Sequence, residues 1–279
     1  MKIKINDILR YKKPACHKNT YEDDHLNFHF LAHVPTSKKL QLEKGINPSA
    51  AIKTSDKDQV RPVILISTSP NKKGSAETPW QDFYDVDNGH IRYFGDNKEP
   101  GKDPAQAPGN KALLEAFRLA HSHDIKERQK TPPIVFFKRV TVNGVAKGYP
   151  MFQGLGIISS IELVTQWDNN KQQSFTNYAF DFTVLCMVKE HECFEWDWIN
   201  SRRHLNFSIA DTNKQAPATW KQWLKNGANE LNIVRRRVSK LQIVKSADQK
   251  PAIGSEQEDI LNKIYKFYDG RKHHFEALA

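Results

Sequence analysis

Residues 148–167 read GYPMFQGLGIISSIELVTQW, and this stretch decides the fold. It is rich in β-branched and aromatic residues and lacks the three-to-four spacing of a helix, so it predicts extended chain over 148–153 and 155–167. Gly154 and Gly156 bracket Leu155 and mark a bulge or sharp bend between the two runs. Upstream, residues 134–140 predict another strand, and Asn143-Gly144 is a hairpin signal joining it to the first. Downstream, residues 177–188 predict a further long strand. Long strands in succession, with few helices between them, describe a strongly curved sheet or open barrel.

Further out the pattern is mixed. Residues 61–67 are β-branched and end at a turn-prone Ser69-Pro70-Asn71, which predicts a strand. Asp87-Asn88-Gly89 reads as a turn between two extended arms. Three prolines and two glycines make 97–109 an irregular loop, after which Asn110 is expected to cap a helix over 111–121. Past residue 190 the character becomes helical: 194–199, then 216–224 with Pro217 in its first turn, then 255–268 opened by Ser255-Glu256-Gln257-Glu258. The fold class is therefore α+β, a curved sheet or open β-barrel with flanking helices and a helical tail. The expected divisions are 1–210 for the β-rich body, 211–270 for a helical linker region and 271–279 for a last short piece. Residues 1–60 give no clear pattern.

The chain holds 42 Lys+Arg against 32 Asp+Glu, an excess that favours an acidic partner, most commonly nucleic acid. Three cysteines form no paired framework and point to a reducing, cytoplasmic setting. No apolar run is long enough for a membrane helix, and the N-terminus has no signal-peptide core. Hydrolytic metal chemistry finds no footing: no Glu-x-Lys follows a suitable Asp on a strand, and Cys186, His191 and Cys193 lack zinc spacing. His121-Ser122-His123-Asp124 sits at a helix end, where histidine is favoured by the dipole. No catalytic residue, metal ligand or cofactor site is assigned.

One segment stands against the basic background. In PWQDFYDVDNGHIRYFGDNK, residues 79–98, five aromatic rings are gathered among four aspartates. Asp82, Asp85 and Asp87 suit turns. Asp96 follows Tyr93-Phe94-Gly95, where glycine is expected to let the backbone turn sharply. A carboxylate beside ring faces is what a pocket for an extruded base requires: the rings stack on the base and the acid accepts from its exocyclic amine. Trp80, Tyr93, Phe94 and Asp96 are the candidate pocket, with Asp82 and Lys98 as further pocket or DNA contacts. Lys72, Lys73 and Lys171 are the candidate phosphate contacts.

Several stretches carry a resemblance. They are Thr78-Pro79-Trp80-Gln81-Asp82, Asn88-Gly89 with Tyr93-Phe94-Gly95-Asp96-Asn97-Lys98, Gly109-Asn110-Lys111, Gly148-Tyr149 with Phe152-Gln153-Gly154-Leu155, Trp220 with Trp223, and the final residues 273–279. Over roughly 60–279 the chain resembles the N-terminal part of the modification-dependent restriction endonucleases typified by MspJI and AspBHI. The resemblance implies an SRA-like domain that flips 5-methylcytosine or 5-hydroxymethylcytosine out of double-stranded DNA. It maps the pocket tryptophan and aspartate to Trp80 and Asp96. It also implies that 271–279 opens an Mrr-like nuclease domain, so that the chain is a recognition fragment of an enzyme whose missing half would use Mg²⁺, and it leaves room for an oligomeric full-length enzyme.

Burying one methyl group contributes about 0.8 kcal/mol, a factor of roughly four, which is too little to find modified sites in a genome. The pocket must therefore penalise an empty C5 position as well, through a void or a stranded polar group. The alternative is a β-barrel module that binds single-stranded nucleic acid or RNA by stacking, without flipping.

Overall fold

The stretch at 148–167 is one strand bent by a bulge. The computed structural model describes residues 1–12, 17–68, 82–204 and 208–238. Its main sheet has seven strands: β1 (Ile46–Pro48), β2 (Ile64–Thr68), β3 (Phe83–Asp85), β4 (His90–Phe94), β5 (Ile134–Arg139), β6 (Pro150–Asp168) and β7 (Gln173–Val184). They lie in the order β1-β2-β5-β6-β7-β4-β3; β2 and β5 are parallel, and the other neighbours antiparallel. Phe136 pairs with Gly154 but Phe137 with Phe152, so Gln153 is the extra residue of the bulge. Gly154 takes φ +113°, a conformation open to glycine and strained for other residues. A second register shift falls between Ile158 and Ser160. Two irregularities in one long strand supply the curvature.

Alternation along the strands divides the core in two. Val63, Leu65, Val135 and Phe137 join Trp196, Trp198, Trp220 and Trp223 in one cluster. Ile64, Ile66, Ile134, Phe136 and Tyr93 join Leu113 and Ala116 of helix α1 (Pro108–Ala120) in the other. The second face is the concave one, because the Tyr93 hydroxyl on β4 reaches Ser67 O on β2, with three strands between them in the sheet order. The sheet curls without closing into a barrel: β1 and β3 remain its edges.

Several sequence expectations are corrected. Helix α1 starts at Pro108 with Ala107 as its cap, and Asn110 lies inside the first turn, fully buried. Residues 194–199 are not one helix. Cys193–Glu195 is a strand antiparallel to Lys2–Lys4, and a helix runs only over Asp197–Ser201. The edge of the N-terminal segment is satisfied there, which outweighs the local helical pattern. The last strand occupies 173–184 rather than 177–188. Residues 1–60, unreadable as a pattern, supply short pieces: the edge strand β1, the Lys2–Lys4 strand and the helix Phe28–Leu31.

The first compact unit runs from Met1 to Arg237, past the expected boundary at 210. Its continuity comes from helix α2 (Ala218–Asn226), whose Trp220 and Trp223 are fully buried in the same cluster as the sheet residues. Arg202, also fully buried, binds three neutral oxygens: Pro62 O at 3.0 Å, Thr131 O at 3.0 Å and Asn213 Oδ1 at 2.8 Å. The expected helix over 255–268 lies outside the described residues. Among those described, no helix is long and apolar enough to cross a membrane.

Candidate functional site

Strands β2 and β4, each one in from an edge of the curled sheet, meet at a seam. Thr68 Oγ1, at the end of β2, donates to Asp82 Oδ2 at 3.0 Å. The Phe94 backbone N–H on β4 donates to Asp82 Oδ1 at 3.3 Å. Beside this bridge the Tyr93 hydroxyl donates to Ser67 O at 3.3 Å. Asp82 is thus a half-buried carboxylate held from both strands.

Tyr84 lies two residues further on, and its hydroxyl oxygen is enclosed with no hydrogen-bond partner among the described residues. Burial above all, then the other phenol and the charge of Asp82, push Tyr84 well above the ordinary tyrosine range. Burial and Asp82 do the same to Tyr93. Both phenols therefore keep their protons and act as donors. An ionised acceptor and an unused donor side by side match the edge of a base that carries an amine beside a carbonyl.

Just past the same end of β4, the chain is anchored to helix α1. Asp96 Oδ2 accepts from Gly109 N at 2.8 Å and Asp96 Oδ1 from Asn110 N at 2.9 Å, so the carboxylate serves two orphan N–H groups in the helix's first turn. Asn110 reciprocates: its Oδ1 accepts from Asp96 N at 3.0 Å, and its Nδ2 donates to Pro104 O at 2.9 Å and Asn177 Oδ1 at 3.1 Å. Gly95 is not in the left-handed region, contrary to the expected sharp turn. Its role is space, since a Cβ there would overlap Asn110 Oδ1 and lie 2.6 Å from Asn177 Oδ1. Asp96→Ala should cost about 1–2 kcal/mol through loss of this cap, read as a lower urea midpoint with unchanged slope.

The predicted pocket residues are not all brought together. Tyr93 is 1% exposed in the concave core, so its ring supports the seam and is closed to a stacking base. Phe94, next along the strand, points to the opposite face, where it lies beside Arg92. Tyr93 and Phe94 cannot line one cavity. Asp96 is exposed at its surface but committed to the helix, as are Lys98 and Lys171 to open surface, the latter at the turn joining β6 and β7. Trp80, Lys72 and Lys73 lie outside the described residues. The sequence reading missed Ser67, Thr68 and Tyr84; period-two alternation through 90–94 was the signal that separates Tyr93 from Phe94. His121, set aside as structural, has its Nε2 3.0 Å from Ile158 O.

Comparison with known proteins places this arrangement. A family model described as "Restriction endonuclease AspBHI N-terminal" matches residues 19–235. Among solved structures, MspJI restriction endonuclease in complex with a 27-mer oligonucleotide is 36% identical, with TM-score 0.79. That match covers 100% of this chain and 63% of MspJI, so the chain spans 63% of that relative's length. The DNA recognition domain of the cytosine modification-dependent endonuclease LpnPI matches at 19% identity and TM-score 0.56, covering 85% of this chain and 91% of that one. The DNA modification-dependent endonuclease AspBHI matches at 19% and 0.57, covering 85% and 94%. These last two show the shared fold. Among curated proteins nothing matches. The expected SRA-like α+β fold stands, as an open curved sheet with helices following it.

Proposed function

The chain belongs to the restriction endonuclease AspBHI N-terminal family, and from that premise we propose that it reads 5-methylcytosine or 5-hydroxymethylcytosine in double-stranded DNA by extruding the base. It is homologous to the DNA-recognition domains of modification-dependent restriction endonucleases. The observation that carries the proposal is the seam: a fixed Asp82 carboxylate beside the enclosed Tyr84 hydroxyl, which has no hydrogen-bond partner among the described residues. Asp82 accepts from the cytosine exocyclic amine through a lone pair left beside its bonds to Thr68 and Phe94, the role first given to Asp96, whose carboxylate instead caps helix α1. Tyr84 donates to the base's ring-side acceptors, and Trp80, two residues before Asp82, supplies a stacking ring. Lys72, Lys73, Lys98 and Lys171 grip phosphates. In the whole enzyme this body directs DNA cleavage to modified sites. Among the described residues no group of three His, Cys, Asp or Glu is placed to hold a metal ion.

The test is binding to matched duplexes bearing C, 5-methylcytosine or 5-hydroxymethylcytosine at one position, with a single-stranded arm, all at fixed salt. A modified duplex should bind tighter than the plain one by about 1–3 kcal/mol, roughly five- to 150-fold, and Asp82→Asn should erase most of that preference. Equal affinity for the three duplexes overturns the proposal. Tighter binding to the single strand would favour a stacking module without flipping.

A further inference from the structure

On the convex side of β2, directly behind the seam, lies a cavity of about 570 Å³ that the function above does not use. Its wall carries four cations, Arg10, Lys12, Arg139 and Lys147, against one acid, Glu43. Two of the cations are already neutralised from outside: Arg10 pairs with Asp23 at 2.6 Å and Lys12 with Glu22 at 3.1 Å. The other two are not. Among the described residues Arg139 donates only to backbone oxygens, Leu42 O at 3.0 Å and Glu43 O at 3.2 Å, which orient the guanidinium without cancelling its charge. Lys147 stands exposed at the rim, with no ion pair among the described residues.

Ser67 also lines the cavity, and it is the more telling residue. Strand alternation turns its side chain away from the concave core, toward this wall. The residue is 4% exposed, and its Oγ is enclosed with no hydrogen-bond partner among the described residues. A buried hydroxyl left unpaired carries a desolvation cost that a bound acceptor would remove. Uncancelled positive charge together with a spare O–H donor calls for an anion with several acceptor oxygens.

We propose that this cavity binds a phosphate group, Arg139 and Lys147 supplying the charge and Ser67 Oγ a hydrogen bond. Two sources share that chemistry: a backbone phosphate of the DNA held at the seam, or the phosphate of a free nucleotide. The first rests on the DNA-binding reading above; the second does not. Ser67 links the two places, since its carbonyl accepts from Tyr93 on the concave side while the residue lines the cavity.

The experiment uses the full chain and three variants, Lys147→Gln, Ser67→Ala and Arg139→Gln. Binding to one modified duplex is measured across a salt series, and inorganic phosphate and dCMP are titrated separately by calorimetry. If a DNA phosphate occupies the cavity, Lys147→Gln lowers the slope of log K against log salt by about 0.9, equally for modified and plain duplexes. The ratio between those duplexes then stays fixed, which separates this outcome from any failure of modified-base recognition. If a free nucleotide is the ligand, dCMP binds the parent chain and binds Lys147→Gln and Ser67→Ala at least several-fold more weakly, while the duplex slope does not move. Arg139 also holds Leu42 and Glu43, so its variant counts only if its urea midpoint is unchanged; Lys147, exposed and unpaired, keeps the test sound without it. Unchanged salt slopes, together with no binding of phosphate or dCMP, overturn the proposal.

Discussion

Gly95→Ala should destabilise the body by about 2–4 kcal/mol, one of the two largest effects expected of a single substitution here. The added methyl would occupy the position of Asn110 Oδ1 and crowd Asn177 Oδ1 at 2.6 Å. Neither amide has room to retreat, because both are fully buried. Asn177 Nδ2 is bound to Gly95 O at 2.9 Å and Gln166 Oε1 at 2.9 Å, and Asn110 Nδ2 to Pro104 O at 2.9 Å. Displacing Asn110 strips the acceptor from Asp96 N and loosens the carboxylate that holds helix α1. The expected readout is a fall in urea midpoint larger than that of Asp96→Ala, since the substitution disturbs the whole network and not one cap. A midpoint within 0.5 kcal/mol of the parent, the range of about ±0.5 kcal/mol typical of surface changes, would show that the network yields more easily than its packing implies.

Arg202→Met should cost about 3–5 kcal/mol, measured in the same way. Methionine fills much of the space of the arginine stem but leaves Pro62 O, Thr131 O and Asn213 Oδ1 unpaired in the interior. Burial alone lowers the guanidinium to about 9, since no carboxylate offsets it. Against that desolvation cost stand three charge-assisted hydrogen bonds, and the three abandoned acceptors decide the sign. These oxygens come from the approach to β2, the segment before β5 and the helix Ile209–Asn213, so the residue ties the helices to the back of the sheet. Arg202→Lys, which reaches fewer of the three, should fall between. Parent-like stability of the methionine variant would mean that apolar packing holds these segments without the guanidinium.

The sheet was legible wherever a single strand was long enough to show its own period. Residues 134–140 and 155–167 did so, and Gly154 announced the bulge through its conformation. The N-terminal segment was not legible, because its strands are two or three residues long and their partners lie far along the chain, as Lys2–Lys4 with Cys193–Glu195. Asn110 was misjudged for a related reason. An asparagine before an apolar run is a good cap in isolation, but here the first turn is served by Asp96 from a distant strand end. At the candidate site, adjacency in sequence did not translate into a shared surface. Tyr93, Phe94 and Asp96 are adjacent in sequence, yet pleating and the helix send them to a core, an outer face and a cap. Asp82 owes its position to Thr68, on β2 across the curl of the sheet, and only tertiary geometry reveals that.

The Thr68–Asp82 bond has a meaning beyond bridging the seam. Thr68 is the last residue before 69–81 and Asp82 the first after it, so the bond is a clasp that pins both ends of that segment a hydrogen bond apart. Bringing two points of a chain together carries an entropy cost that grows with the number of residues between them. Here that cost is met when the body folds, not when a partner arrives. Preorganisation of this kind leaves more of the contact energy for binding itself, and it puts Asp82 in charge of two tasks at once: holding the segment's foot and presenting an acid at the same point.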